Sequence, residues 1–163
     1  GNDLGKISNE LDKLMLNVPA GSDITPDHIE HYIGISKDYN NFELQNAMGS
    51  RDVLKANRIA LHFASNPKNH PLVVTLSLLY GFFSKLLAYH YTGDKSKGNL
   101  ASILKVNPYF IKDYQNAAGH YPAKKVVRVI GYLREYDLKS KGINNSSAPD
   151  GELLKELVYK ILH

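Results

Sequence analysis

Three stretches bring together residue types that can do chemistry. His28 and His31, with Glu30 beside them, lie on one helix face at a spacing that suits a metal ion. A closed zinc site needs a fourth ligand, none stands at ligand spacing, and the trio reads as a wet helix face. The loop from Gly93 to Leu100, GDKSKGNL, has the two-glycine spacing of a phosphate cradle. The positions that carry that chemistry are wrong, with Asn99 where the phosphate-neutralising Lys belongs and Leu100 where the magnesium-binding hydroxyl belongs. Neither a nucleotide nor a divalent metal is expected, so the cofactor expectation is none. The third set interleaves Tyr109, Phe110, Tyr114, Tyr121, Tyr132 and Tyr136 with Lys112, Lys124, Lys125, Arg128 and Arg134, which can stack on bases and neutralise phosphates. Aromatics at helical spacing are more often core, so direct nucleic-acid binding is a competing reading and not the leading one. No Gly-x-Ser-x-Gly elbow, HExxH pair or close carboxylate pair occurs, and no catalytic residue is expected. Asn144 and Asn145 each begin an N-x-S sequon, which matters only for a secreted chain.

Composition narrows the classes. A chain of 163 residues fits one domain, or a small domain with part of a neighbour. Hydrophobic residues at 43% and charged residues at 22% are those of an ordinary globular protein. The net charge of +4 is spread along the chain and mixed with acids, unlike the concentrated basic stripe of a dedicated nucleic-acid binder. The absence of Cys excludes disulfides and thiolate chemistry and fits a reducing compartment, so a cytoplasmic location is expected. Gly1 in place of Met predicts a segment cut from a longer protein.

The elements that must position any site are organised around the stretch from Leu72 to Tyr91. Fourteen of its twenty residues are apolar or aromatic and only Lys85 is formally charged. A helix through it is apolar on every side, which predicts enclosure by other helices. Thr75, Ser77, Ser84, Lys85 and His90 interrupt the run and argue against a membrane span. Before it, Leu4, Ile7, Leu11, Leu14 and Val18 give the period of an amphipathic helix, and Thr25 with Pro26 marks the start of a second. The polar stretch from Ser36 to Asn41 marks a domain boundary, with residues 1–36 before it and 37–163 after it. Asn40 with Glu43 predicts a capping box, Ser50 caps the next helix, and Asn99 caps a short one. Asn107 and Pro108 open another helix. In the helix after Pro122, Val126, Val127, Ile130, Leu133 and Leu138 are expected inward. Leu153, Leu154, Leu157, Val158, Ile161 and Leu162 define the last helix. The sum is about nine helices and no strand, an all-α protein.

Several of these segments, in order, resemble the delta subunit of bacterial DNA polymerase III, the clamp-loader subunit that opens the sliding clamp. Asn9-Glu10-Leu11-Asp12-Lys13-Leu14 matches a run of that family's lid, and Ile24-Thr25 through Ile29 matches the helix start that follows. Phe42-Glu43-Leu44-Gln45-Asn46-Ala47 matches an aromatic-x-Leu-x-x-Ala segment. Leu104-Lys105-Val106-Asn107-Pro108-Tyr109-Phe110 matches a helix start, and Asp137 to Lys141 matches a late turn, with Ile143 displaced by one because Gly142 follows Lys141 directly.

The resemblance implies an architecture, with residues 1–36 as part of the helical lid of an AAA+ module and 37–163 as a helical collar that mediates subunit assembly. It implies a non-catalytic fragment of an assembly that serves DNA replication. Its partners would be the other clamp-loader subunits, with the sliding clamp and DNA reached only through the intact complex, no membrane, and the isolated fragment a monomer or weak dimer. An unrelated helical protein-interaction module is the alternative. A collar must present helix ends to its neighbours, which points to the charged corner Arg134, Tyr136, Asp137, Lys139 and Lys141, with Tyr136 expected to be exposed.

Overall fold

The computed structural model describes residues 39–144 and 147–163, together with Ser8, Asp12 and Met15. The chain divides into two compact units, Gly1–Asp38 and Tyr39–His163. In the first, Ser8, Asp12 and Met15 are helical and exposed. The helix start at Thr25 and the trio His28, Glu30 and His31 lie outside the described residues.

The second unit is helical throughout. Its elements are α1 (Asn41–Gly49), α2 (Val53–Ser65), α3 (Leu72–Tyr91), α4 (Lys97–Leu104), a single 3-10 turn (Pro108–Phe110), α5 (Ile111–His120), α6 (Ala123–Ser140) and α7 (Asp150–Leu162). No strand occurs among the described residues. Side-chain caps fix three of these starts. The Asn40 carboxamide oxygen accepts from the Glu43 amide at 2.9 Å, and that of Asn107 accepts from the Tyr109 amide at 2.9 Å. Two expected caps are displaced. Ser50 instead closes α1, its hydroxyl donating to the Asn46 carbonyl, and Asp52 caps α2 by accepting from the Lys55 amide at 3.0 Å. Asp94 accepts from both the amide and the hydroxyl of Ser96, which starts α4 at Lys97 and leaves Asn99 inside the helix.

Two antiparallel helix pairs carry the core. His90 Nε2 at the C-terminal end of α3 lies 2.7 Å from the Tyr121 carbonyl just before α6, while Val73 to Tyr80 at its other end face Ile130 to Asp137. Arg51, ahead of α2, reaches the end of α7, and Ala64 near the end of α2 meets Gly151 at the start of α7. Buried between these helices, Leu44, Met48, Phe63, Phe83, Leu86, Leu133 and Leu157 form one continuous cluster. All six residues expected inward on the last helix are buried.

The expected enclosure of α3 is only half realised. The line through Leu72, Leu76, Leu79 and Phe83 is buried, but Val73, Val74, Leu78 and Tyr80 are 50%, 45%, 47% and 50% exposed, because no described helix covers the outer face of the first two turns. By length and composition α3 could cross a membrane. Two of its polar groups are used within the unit, Thr75 donating to Asn41 at 2.7 Å and His90 pairing with the Tyr121 carbonyl. On α6, Val127 and Leu138 prove exposed, and Val126, Val129, Leu133 and Tyr136 form the buried stripe.

Arg51 adopts a left-handed backbone, φ 59°, a conformation that disfavours a residue with a Cβ. Its side chain accounts for its presence: Nη2 and Nε donate to the Leu162 carbonyl at 2.7 and 3.3 Å, supplying a cation to the electronegative end of α7. Arg51→Ala is therefore expected to lower the unfolding free energy by about 1 kcal/mol. Arg51→Lys should recover only part of it, since an ammonium lacks the two-pronged geometry. Equal urea midpoints for Arg51→Ala and the parent would refute the contact's role.

Candidate partner-binding surface

The five residues singled out at the end of α6 do not form one patch. On a helix, residues three and four apart share a face, and this divides them. Arg134, Asp137 and Lys141 follow the flank toward α3, whereas Tyr136 and Lys139 follow the flank toward α7. Tyr136, expected exposed, is 0% exposed. The reason is its place in the buried 3-4-3 spacing from Val126 through Val129 and Leu133, which points its ring under α7.

The α7 flank is an ion network over that ring. Lys139 pairs with Glu135 at 2.8 Å, and Lys160 with Glu156 at 3.5 Å and Glu135 at 3.8 Å. The same two ammonium groups stand 4.4 and 5.1 Å from the Tyr136 ring centroid. The hydrogen bond from Lys139 holds the Glu135 carboxyl below the usual range and raises the pKa of Lys139 in turn. Burial, then Glu156, pushes the Tyr136 phenol up. Its hydroxyl finds no hydrogen-bond partner of standard geometry among the described residues, although Glu156 stands close enough that the phenol lowers that carboxyl's pKa. These residues are occupied in joining α6 to α7.

The α3 flank is different. Val73, Leu76 and Tyr80 on one helix and Ile130 and Leu133 on the other line an open groove of about 590 Å³. Ser77, Arg134 and Asp137 complete its lining. Asp137 is paired with Lys141 at 2.6 Å. Arg134 is exposed and has no carboxylate within 4 Å among the described residues. Among the described residues the groove therefore combines apolar walls with a cation that no carboxylate meets, a composition that suits a protein-binding surface. Val73, Ser77 and Tyr80 were not foreseen as site residues, although Ser77 in the line Val73–Ser77–Tyr80 is a sequence signal that this side of α3 is not core.

Tyr114, Tyr121 and Tyr136 are buried, so half of the aromatic set is withdrawn from base stacking, and Tyr109 is its one member that stands far out, at 79% exposure. The glycine loop leads into α4, which begins at Lys97 inside it. Among the described residues no group of three His, Asp or Glu side chains converges as a metal site.

The fold is that of a clamp-loader delta protein. The match is to the Bacillus subtilis DNA clamp loader delta protein (YqeN), with a TM-score of 0.69 over 98% of this chain. Sequence identity is 22%, so the likeness is one of fold, and the chain spans 46% of that protein. No family model matches the chain, and no curated protein matches it.

Proposed function

We propose that this chain is a non-catalytic, C-terminal part of a clamp-loader delta subunit and that it mediates assembly of the loader that places sliding clamps during DNA replication. The observation that carries the reading is the fold match across 98% of the chain. The ordered motifs from Asn9 to Lys141 and the apolar α3–α6 groove support it. On this reading residues 1–36 serve as part of an AAA+ lid and residues 37–163 as the collar, with the other clamp-loader subunits as partners in the cytoplasm. The sliding clamp and DNA are reached only through the complete assembly.

Co-purification with the other clamp-loader subunits tests the proposal, and retention of none of them would overturn it. Within that assay, Arg134→Ala is expected to weaken association by at least about 1 kcal/mol, roughly fivefold, with helical content unchanged. Lys139→Ala should leave association intact, because that side chain serves the α6–α7 network. Equal affinities for Arg134→Ala and the parent would remove the groove from the interface. A salt titration with fluorescent DNA separates a direct nucleic-acid role, since phosphate contacts make affinity fall steeply with salt.

A further inference from the structure

Resting on the reading of the α3–α6 face as an assembly surface, we propose that its occupant is an acidic amphipathic helix of a neighbouring protein. That helix would lay two turns of apolar side chains along the groove and set a carboxylate against Arg134.

The shape of the groove supplies the first argument. Val73, Ser77 and Tyr80 stand at i, i+4 and i+7, about 10 Å along the α3 axis at 1.5 Å per residue, which is two helical turns. Ile130 and Leu133 form the opposite wall of a volume of about 590 Å³. A straight trough between two antiparallel helices accepts a third helix through side chains at i, i+3, i+4 and i+7. Val73 and Tyr80 in the wall are each half exposed, so a helix seated there covers apolar surface that no described residue covers.

Charge selects among helices. Asp137 already has Lys141 at 2.6 Å, so among the described residues the rim is left with the guanidinium of Arg134 and no carboxylate within 4 Å of it. A planar guanidinium beside apolar walls is suited to a bidentate carboxylate, and a basic helix would be repelled. The same charge argues against a second copy of this chain seated face to face, because an isologous contact would bring two such rims of like sign together.

The test uses the full 163-residue chain and two fluorescein-labelled, helix-forming peptides of Ala and Gln. Both carry Leu at i, i+3, i+4 and i+7, and one turn further on one peptide has Glu and the other Lys. The Glu peptide is expected to bind at least about tenfold more tightly than the Lys peptide. Arg134→Glu should reverse the preference, and Val73→Glu, at an exposed position, should abolish binding of both. Equal binding of the two peptides, a preference unchanged in Arg134→Glu, or no binding by either would overturn the proposal. So would a dimer of the free chain that Val73→Glu dissociates. The same variants are carried through co-purification with the clamp-loader subunits. Assembly insensitive to Arg134→Glu would defeat the acidic-helix occupant while leaving the assembly role standing. Failure to assemble with the peptide preference intact would defeat the assembly role alone.

Discussion

Gly151→Ala is expected to destabilise the Tyr39–His163 unit by about 2 kcal/mol, although Ala is the better helix former. A Cβ built on Gly151 falls 2.8 Å from the Ala64 Cβ, 2.9 Å from its Cα and 3.2 Å from its carbonyl oxygen. Two of these atoms are backbone, so no rotamer change relieves the overlap and α7 must move away from α2. That movement loosens Leu153, Leu154 and Leu157, all buried at the start of α7. The strain, of about 1–3 kcal/mol or more, outweighs the gain of about 1 kcal/mol in helix propensity. Two companions isolate the cause. Gly131→Ala places the same methyl on the exposed side of α6, where nothing lies within 4 Å, and should stabilise by about 0.5–1 kcal/mol. Ala64→Gly combined with Gly151→Ala should recover part of the loss, as coupling across one contact requires. If urea midpoints show Gly151→Ala to be as stable as the parent, the close approach of α2 and α7 is wrong.

That close approach shows where sequence reasoning ends. The bounds of α3 were legible, because a long apolar run leaves no doubt about its interior, and the inward set of α7 followed from its unbroken 3-4 spacing. What joins distant segments was not. Gly151 looks like any residue of a polar loop until Ala64, far off in the chain, is brought against it. Ser50, Arg51 and Asp52 offer three polar neighbours, and only the geometry of the turn decides that Ser50 closes α1, Arg51 caps α7 and Asp52 opens α2. On α6 the stripe Val126, Val129, Leu133 and Tyr136 was present in the sequence, but Val127, Ile130 and Leu138 make a competing apolar line. Tyr carries both a ring and a hydroxyl, so its type did not choose between them. The groove was the least legible feature, since its walls come from helices far apart in the chain and the apolar character of α3 suggested burial on all sides. Arg134 and Asp137 were singled out in the sequence because charged residues draw attention at a helix end. Val73 and Tyr80, which share the groove with them, carry no such mark.

Stability should fall steeply in alkali, at a pH set by two buried phenols. Tyr114 and Tyr121 are both pushed up to about 12 by burial, Asp113 adding to the effect on Tyr114 and Arg51 opposing it slightly on Tyr121. An unfolded chain ionises its tyrosines near 10. Between those values the unfolded state has released protons that the folded state still holds, so stability is full below about pH 10 and is lost as the pH rises toward 12. Each phenol contributes up to about 2–3 kcal/mol to that loss, and Tyr136, raised by the same burial, acts in the same direction. Tyr121→Phe separates this effect from ordinary packing. At neutral pH it should cost about 1 kcal/mol, the value of the hydrogen bond from the Tyr121 hydroxyl to the Met48 carbonyl at 2.7 Å. The cost stays small because that carbonyl still accepts from the Arg51 amide at 3.1 Å. Above about pH 11 the variant has one buried phenol fewer to ionise than the parent, so its stability curve should cross that of the parent. Urea midpoints measured from about pH 8 upward supply the curves, and the near-ultraviolet phenolate band shows which tyrosines ionise before unfolding. If Tyr114 and Tyr121 instead ionise near 10 while the helices persist, their burial is refuted.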